Sequence, residues 1–277
     1  MYFGKYIIFK DKPNSWPMKF PIFQIDAFTN SLFGGNPAAV VPLKSWLPAE
    51  MMQKIAMENN VSETAFYVEE YGVFGLRWFT PEVEVDLCGH ATLATAHTLF
   101  KELGYLHNEL KFDTQSGRLS VRKKDDRYVM NFPSVISHSV EPPSILFEAL
   151  KIDQTQQVFK SDDYLVVLEK EEEVERLQPN FRLLKEVDAR GIIVTAPGNQ
   201  VDFVSRFFGP QVGINEDPVT GSAHTKLTPY WANRLQKNEL SAHQISKRKG
   251  ELWLKYVENR VEIEGKAVTY LRGEIEL

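Results

Sequence analysis

Cysteine is nearly absent from this 277-residue chain, which has only Cys88. That excludes an intrachain disulfide and any multi-cysteine metal site, and it fits a reducing compartment, so a cytoplasmic location is expected. No apolar run reaches the roughly 18 residues that a membrane-spanning helix needs. Residues 1–17 lack a long apolar stretch ending in a small-residue cleavage site, so they do not read as a signal peptide. A strong excess of one charge is missing too: the formal net charge of −5 provides no general field for nucleic acid. The short basic run Lys247-Arg248-Lys249 reads as a solvated strand end. Low-complexity segments, a P-loop, a Rossmann glycine fingerprint, a zinc motif and a Gly-x-Ser-x-Gly elbow are all absent. An enzyme built on this chain is therefore expected to work without a bound metal or nucleotide cofactor.

What the chain does contain is one unusual segment twice. Arg77-Trp78-Phe79-Thr80-Pro81 leads to Asp86-Leu87-Cys88-Gly89-His90, and Arg206-Phe207-Phe208-Gly209-Pro210 leads to Asp217-Pro218-Val219-Thr220-Gly221-Ser222. Each copy reads as Arg, aromatic, Phe, any residue, Pro, then an acid, then a glycine turn opening a helix. A repeat of about 130 residues far exceeds solenoid periods, so two related domains are expected instead of an array.

The local patterns agree. Phe20 to Phe28 alternates like a half-buried strand, Asn30 to Pro37 supplies Gly and Asn turn chemistry, and Ala38 to Val41 reads as a second strand. Pro48 suits the first turn of a helix whose Met51, Met52, Ile55 and Ala56 share a face, and Asn59-Asn60 ends it. The helix launched at Gly89 has no charged face and is expected to be buried all round; its partner runs from Gly221 to about Leu235. Later strands are expected at Ala242 to Lys247, Glu251 to Val257, Arg260 to Ile263 and Thr269 to Ile275. The expected architecture is α+β: two pseudo-equivalent domains, each a curved, mostly antiparallel sheet wrapped around a central helix. Residues 18–132 form the first domain, 133–143 a Pro-rich linker and 144–277 the second, whose last strand can pair back onto the first. Residues 1–17 read as an extension, with Met18 as the natural start.

A helix N-terminus carries unpaired N–H groups and about half a positive charge, so two matched starts can hold one small anion between them. Gly89 and Gly221 would admit a ligand closely, with His90 and Ser222 one residue on. Alternatively, duplication preserved only a packing solution. Glu63 stands at the entrance of an apolar strand just after a helix ends, a partly buried place that suits a general base, although a solvated turn residue or a cap is the ordinary role for such a Glu. His90 reads either as structural or as part of the helix mouth. Asp217 and Glu216 read as helix caps. Cys88 invites comparison with thiolates at helix starts, but Thr220 stands opposite it and argues against a two-thiol mechanism.

Phe23-Gln24-Ile25-Asp26-Ala27-Phe28, Gly35-Asn36-Pro37-Ala38-Ala39, Ser62-Glu63-Thr64-Ala65-Phe66, Asp86-Leu87-Cys88-Gly89-His90 and Glu216-Asp217-Pro218-Val219-Thr220-Gly221-Ser222, in this order, resemble the phenazine-biosynthesis PhzF-like family. The resemblance runs from about Met18 to the C-terminus. It implies the diaminopimelate-epimerase-like fold with a site in the cleft, a cofactor-independent isomerisation, a small carboxylate substrate and a homodimer. It also makes Glu63 the acid/base, His90 and Asp217 its assistants, and Gly89, Gly221 and Ser222 the substrate-binding turns. Two other readings stay open: an epimerase using Cys88 alone, and a non-catalytic protein that binds a metabolite or a partner in the same cleft.

Overall fold

The computed structural model describes residues 18–154 and 156–277; the extension proposed for 1–17 lies outside them. The first half contains β1 (Lys19–Ala27), β2 (Asn36–Leu43), α1 (Ala49–Asn59), β3 (Glu63–Glu70), β4 (Val73–Phe79), β5 (Glu84–Val85), α2 (Gly89–His97), β6 (Glu109–Thr114), β7 (Gly117–Lys124) and β8 (Arg127–Pro133). The second contains β9 (His138–Ser139), α3 (Ser144–Leu150), β10 (Gln157–Lys160), β11 (Tyr164–Val167), α4 (Glu171–Arg176), α5 (Phe181–Leu184), β12 (Ile192–Pro197), β13 (Phe203–Gly209), β14 (Ile214–Asp217), α6 (Gly221–Leu235), β15 (Glu239–Gln244), β16 (Gly250–Val257), β17 (Arg260–Gly265) and β18 (Ala267–Glu276).

The pairings repeat. In the first half β2 runs parallel to β3, β3 antiparallel to β4 and β4 parallel to β6, with antiparallel β7 and β8 following. The series β11, β12, β13, β15, β16 and β17 repeats that pattern of directions. Two features join the halves. β8 pairs antiparallel with β17, and β18 pairs with β1 along nearly its full length, while β9, from the stretch between the sheets, pairs with β10.

Each sheet is covered on both sides, which explains strands that are apolar throughout. Ala65 and Tyr67 of β3 face the central core, whereas Phe66 and Val68 pack under α1 with Met52, Ile55 and Ala56. In the second half, Leu165 and Ile193 face inward while Val166, Ile192 and Val194 pack outward with residues of α3 and α5, such as Leu146, Leu150 and Leu184. The inner residues of both halves, Leu93 and Ala94 of α2 and Leu227 and Trp231 of α6 among them, form one continuous core.

The central helices solve the problem of polar atoms in a dry interior locally. In α2 every residue from His90 to His97 is buried. Thr92, Thr95 and Thr98 turn their hydroxyls back onto the carbonyls of Cys88, Ala91 and Ala94 at 2.6, 2.8 and 3.0 Å. α6 contains Pro229, which has no N–H for the Thr225 carbonyl; that carbonyl accepts instead from Val135 N at 3.0 Å. The Pro-rich stretch between the halves is thus tied both to α6 and, through β9, to the second sheet.

Three local expectations need correction. β15 covers Glu239–Gln244 instead of Ala242 to Lys247, because its register against β16 begins at Glu239↔Lys255 and ends at Gln244↔Gly250. Asn36 is no turn residue: it opens β2, fully buried. Arg248 is no solvated strand end either. It reaches across to the first half, donating to Asp26 Oδ1 and to the carbonyls of Gly34 and Gly35, each at 2.8 Å.

Candidate active site

The two glycine turns meet. A Cβ placed on Gly89 would lie 3.6 Å from Gly221 Cα, and one on Gly221 the same distance from Gly89 Cα, so the starts of α2 and α6 touch with no bulk between them. The N-cap residues are Cys88 and Thr220; among the described residues no side chain caps either helix, and neither has an acid in its first turn. The positive ends of both helices thus point at one place without an internal counter-charge.

The reading of Asp217 and Glu216 as caps is therefore overturned. Glu216 forms a two-pronged ion pair with Arg206 at 2.7 and 2.9 Å, as Glu84 does with Arg77 at 2.7 Å for both contacts. The acid that repeats along with the arginine is this one, and its role is to brace the hairpin before each central helix. Asp217 accepts from Thr220 Oγ1 at 2.6 Å and from Asn36 Nδ2 at 2.7 Å. Burial, the main cause, pushes its carboxyl up to about 6; Glu63 adds to the rise and His90 opposes it.

Glu63 opens β3 three residues after the left-handed Asn60 that ends α1, and it is 9% exposed. Its Oε2 lies 2.8 Å from His90 Nε2. The two form a buried ion-pair contact, and Oε2 has no other polar partner among the described residues. His90 Nδ1 lies 3.2 Å from Asn36 Nδ2 and 3.5 Å from Cys88 Sγ. Burial disfavours charge on His90, but the neighbouring Cys88 and Glu63 outweigh it and hold the imidazole well above its usual value. Burial, with the Glu63 carboxylate second, pushes the Cys88 thiol up, so Glu63 is the neighbour whose charge acts on His90.

Sequence reasoning missed the residues that hold this cluster together. Asn36 donates to Asp217 Oδ1 and, at 3.0 Å, to the Val219 carbonyl, while its own Oδ1 accepts from Ser62 Oγ at 2.9 Å. The Val219 carbonyl can only accept, which settles the orientation of the amide. Gln244 clamps the second turn: its Oε1 takes the Thr220 N–H at 2.8 Å and its Nε2 donates to the Asp217 carbonyl at 2.8 Å. Asn36 stood within a quoted motif, and its signal was an Asn-Pro step entering an apolar run; Gln244 had no signal. Ser222 does not stand free, because Arg190 reaches its Oγ at 3.1 Å while bracing itself on the buried Asp163.

Glu63, His90, Asp217, Gly89 and Gly221 thus converge, and Ser222 flanks them. Glu63, Cys88 and His90 each bring a ligand-type atom within 4.8 Å of the others. No helix among the described residues is long and apolar enough to cross a membrane.

Known proteins show the same arrangement of chain. The profile of the phenazine biosynthesis-like protein family matches residues 25–273. A Pseudomonas aeruginosa protein described as an uncharacterized isomerase is 54% identical over 260 residues, covering 94% of this chain and all of that relative. The crystal structure of a PhzF-family phenazine biosynthesis protein from Enterococcus faecalis superimposes with a TM-score of 0.92 at 48% identity, covering 94% of this chain and 100% of that one. A hydroxyproline epimerase from Agrobacterium vitis, TM-score 0.58 at 9% identity over 94% of this chain and 93% of that one, shares the fold alone. The chain belongs to the phenazine biosynthesis-like PhzF family and is an isomerase.

Proposed function

We propose that the protein moves a proton between two carbons of a small carboxylated, cyclic or unsaturated metabolite without a cofactor. Glu63 is the acid/base, the N–H groups at Gly89 and Gly221 bind the substrate carboxylate beside Ser222, and His90 and Asp217 orient the substrate and offset developing charge. The observation that carries this reading is the 2.8 Å approach of Glu63 Oε2 to His90 Nε2 at the junction of two uncapped helix starts. A buried carboxylate whose oxygen contacts only a histidine nitrogen can take up a proton and return it. The helix ends supply fixed dipoles for the negative charge that forms when a carbon is deprotonated.

The test is an NMR screen of small carboxylates for solvent-deuterium incorporation. Glu63→Gln is expected to retain fold and ligand binding while exchange drops by about 10²–10⁴, the usual contribution of a general acid/base. Exchange at the parent rate in that variant would remove Glu63 from the mechanism. A Cys88-based epimerase is the second reading, supported by the 3.5 Å contact of Cys88 Sγ with His90. Unchanged exchange in Cys88→Ser would eliminate it.

A further inference from the structure

We propose that Arg190 is a positioning residue: on the reading that the Gly221 turn binds the substrate carboxylate, it holds the Ser222 hydroxyl from behind and turns its hydrogen toward that carboxylate. Arg190 Nη1 and Nη2 lie 3.1 and 3.2 Å from Ser222 Oγ, and a guanidinium can only donate. A serine hydroxyl has one hydrogen and two acceptor sites, so Oγ serves here as the acceptor and its hydrogen is turned away from Arg190. Among the described residues Arg190 is the one partner of this oxygen, which leaves the hydrogen to a ligand. Ser222 directly follows Gly221 at the start of α6, where the backbone N–H groups are unpaired as well. One residue thus offers an N–H and an O–H to the same anion.

The guanidinium is fixed for this task. Its Nε donates to Asp163 Oδ1 at 2.9 Å and its Nη2 to Asp163 Oδ2, on a carboxylate with no exposed surface. Lys226, only 3% exposed, also pairs with Asp163, at 2.8 Å, and with Asp162 at 3.0 Å. The buried carboxylate therefore has a buried cation of its own, whereas Arg190 is partly exposed and lies 5.5 Å from the Phe207 ring centre. Burial works against the charge of Arg190, but Asp163, Asp162 and Asp217 outweigh it, so the group stays cationic beside the site. The first half has a matching device. β2 and β3 pair as Ala38↔Glu63 and β11 and β12 as Tyr164↔Ile192, so the same corner of each half lies where two parallel strands begin. At that corner the bonded pair Asn36 and Ser62 reaches His90, one residue after Gly89, and the bonded pair Asp163 and Arg190 reaches Ser222, one residue after Gly221. An orienting polar pair thus stands behind each of the two side chains that follow the glycine turns.

The full-length protein is titrated with benzoate, a cyclic unsaturated carboxylate, and followed by amide NMR. Binding by the parent is expected to shift the Gly89, Gly221 and Ser222 amides. Ser222→Ala is expected to weaken benzoate about tenfold, the loss of one hydrogen bond to a charged group, and Arg190→Gln by at least about threefold. The double variant is expected to bind no more weakly than Ser222→Ala, because Arg190 acts through that hydroxyl. Arg190→Lys keeps a cation next to Asp163 and is expected to melt like the parent. It should nevertheless bind benzoate as Arg190→Gln does, since one ammonium lacks the fork that grips Asp163 and Ser222 together. Thermal melting checks the fold of each variant, and Lys226 keeps Asp163 paired in all of them. Additive losses in the double variant, parent-like binding by Arg190→Gln, or full recovery in Arg190→Lys would each overturn the role of Arg190 while the carboxylate site stands. Benzoate that leaves the three amides unmoved would overturn the carboxylate site and the role of Arg190 together.

Discussion

Asn36 of the first half donates to Asp217 Oδ1 of the second at 2.7 Å, and this one amide joins the two sides of the site. The bond favours the Asp217 carboxylate, yet burial wins and holds the group up to about 6 from 3.8. In the window between those values the folded protein keeps a proton that the unfolded chain releases. Stability contributed by this group is thus present below about 3.8 and is lost as pH rises through 6. Asp217→Asn should therefore be more stable than the parent at pH 7.5, by up to about 3 kcal/mol, and equally stable near pH 3. Urea unfolding at the two pH values measures the difference; the same variant should lose exchange activity, as expected where a site holds strain that the fold would otherwise shed.

His97 and His224 act in the opposite sense. Burial, the main cause for both, lowers them from 6.5 to about 4. His97 is engaged by Thr269 Oγ1 at 2.8 Å and Tyr128 Oη at 3.1 Å, whereas His224 holds the Thr220 carbonyl at 2.8 Å and its Nε2 has no partner among the described residues. Between 6.5 and 4 the unfolded chain binds protons that the folded one refuses, so stability falls with falling pH, by at most about 3 kcal/mol per histidine. From about pH 6 down to 4, two histidines outweigh the one aspartate. His97→Gln, on the less deeply buried of the two, should flatten the acid limb of the stability curve by nearly half of the histidine contribution, and an unchanged slope would refute the assignment.

Gly89→Ala separates packing from binding. The added methyl would lie 3.6 Å from Gly221 Cα, an ordinary contact, so melting temperature should change by no more than a few degrees. It would occupy the space in front of the facing helix start, and affinity for carboxylates from the exchange screen should fall by tenfold or more, at roughly 1.4 kcal/mol per decade. Retained affinity would mean that the anion binds elsewhere.

Arg248 closes the halves over the buried Asp26, which is 2% exposed. Removing the arginine strands a carboxylate already raised mainly by burial, and Arg248→Met should cost about 3 kcal/mol, near the lower end for broken buried pairs because Arg248 is itself partly exposed. Adding Asp26→Asn should recover much of the loss; a double variant no better than the single one would assign the effect to the bonds that Arg248 makes to Gly34 and Gly35.

The sequence alone was enough for the doubled architecture. A buried helix must lack a charged face, a sheet covered on both sides must be apolar at every step, and a glycine turn before such a helix is readable wherever it recurs. Glu63, His90 and both turns were visible for the same reason: each departs from the pattern around it. The pairing of acids was not. Arg77 and Arg206 choose Glu84 and Glu216 because these stand across a short antiparallel ladder, and that leaves Asp217 free to turn toward Asn36. Likewise Asn36, Gln244, Arg190 and Arg248 have meaning only through partners far away in the chain, and hydrogen-bond geometry between distant segments leaves no periodic trace. Local chemistry thus determined the helices, the strands and the candidate groups; the meeting of two halves decided which carboxylate caps nothing, which amide is buried, and that Cys88, His90 and Glu63 share one small space.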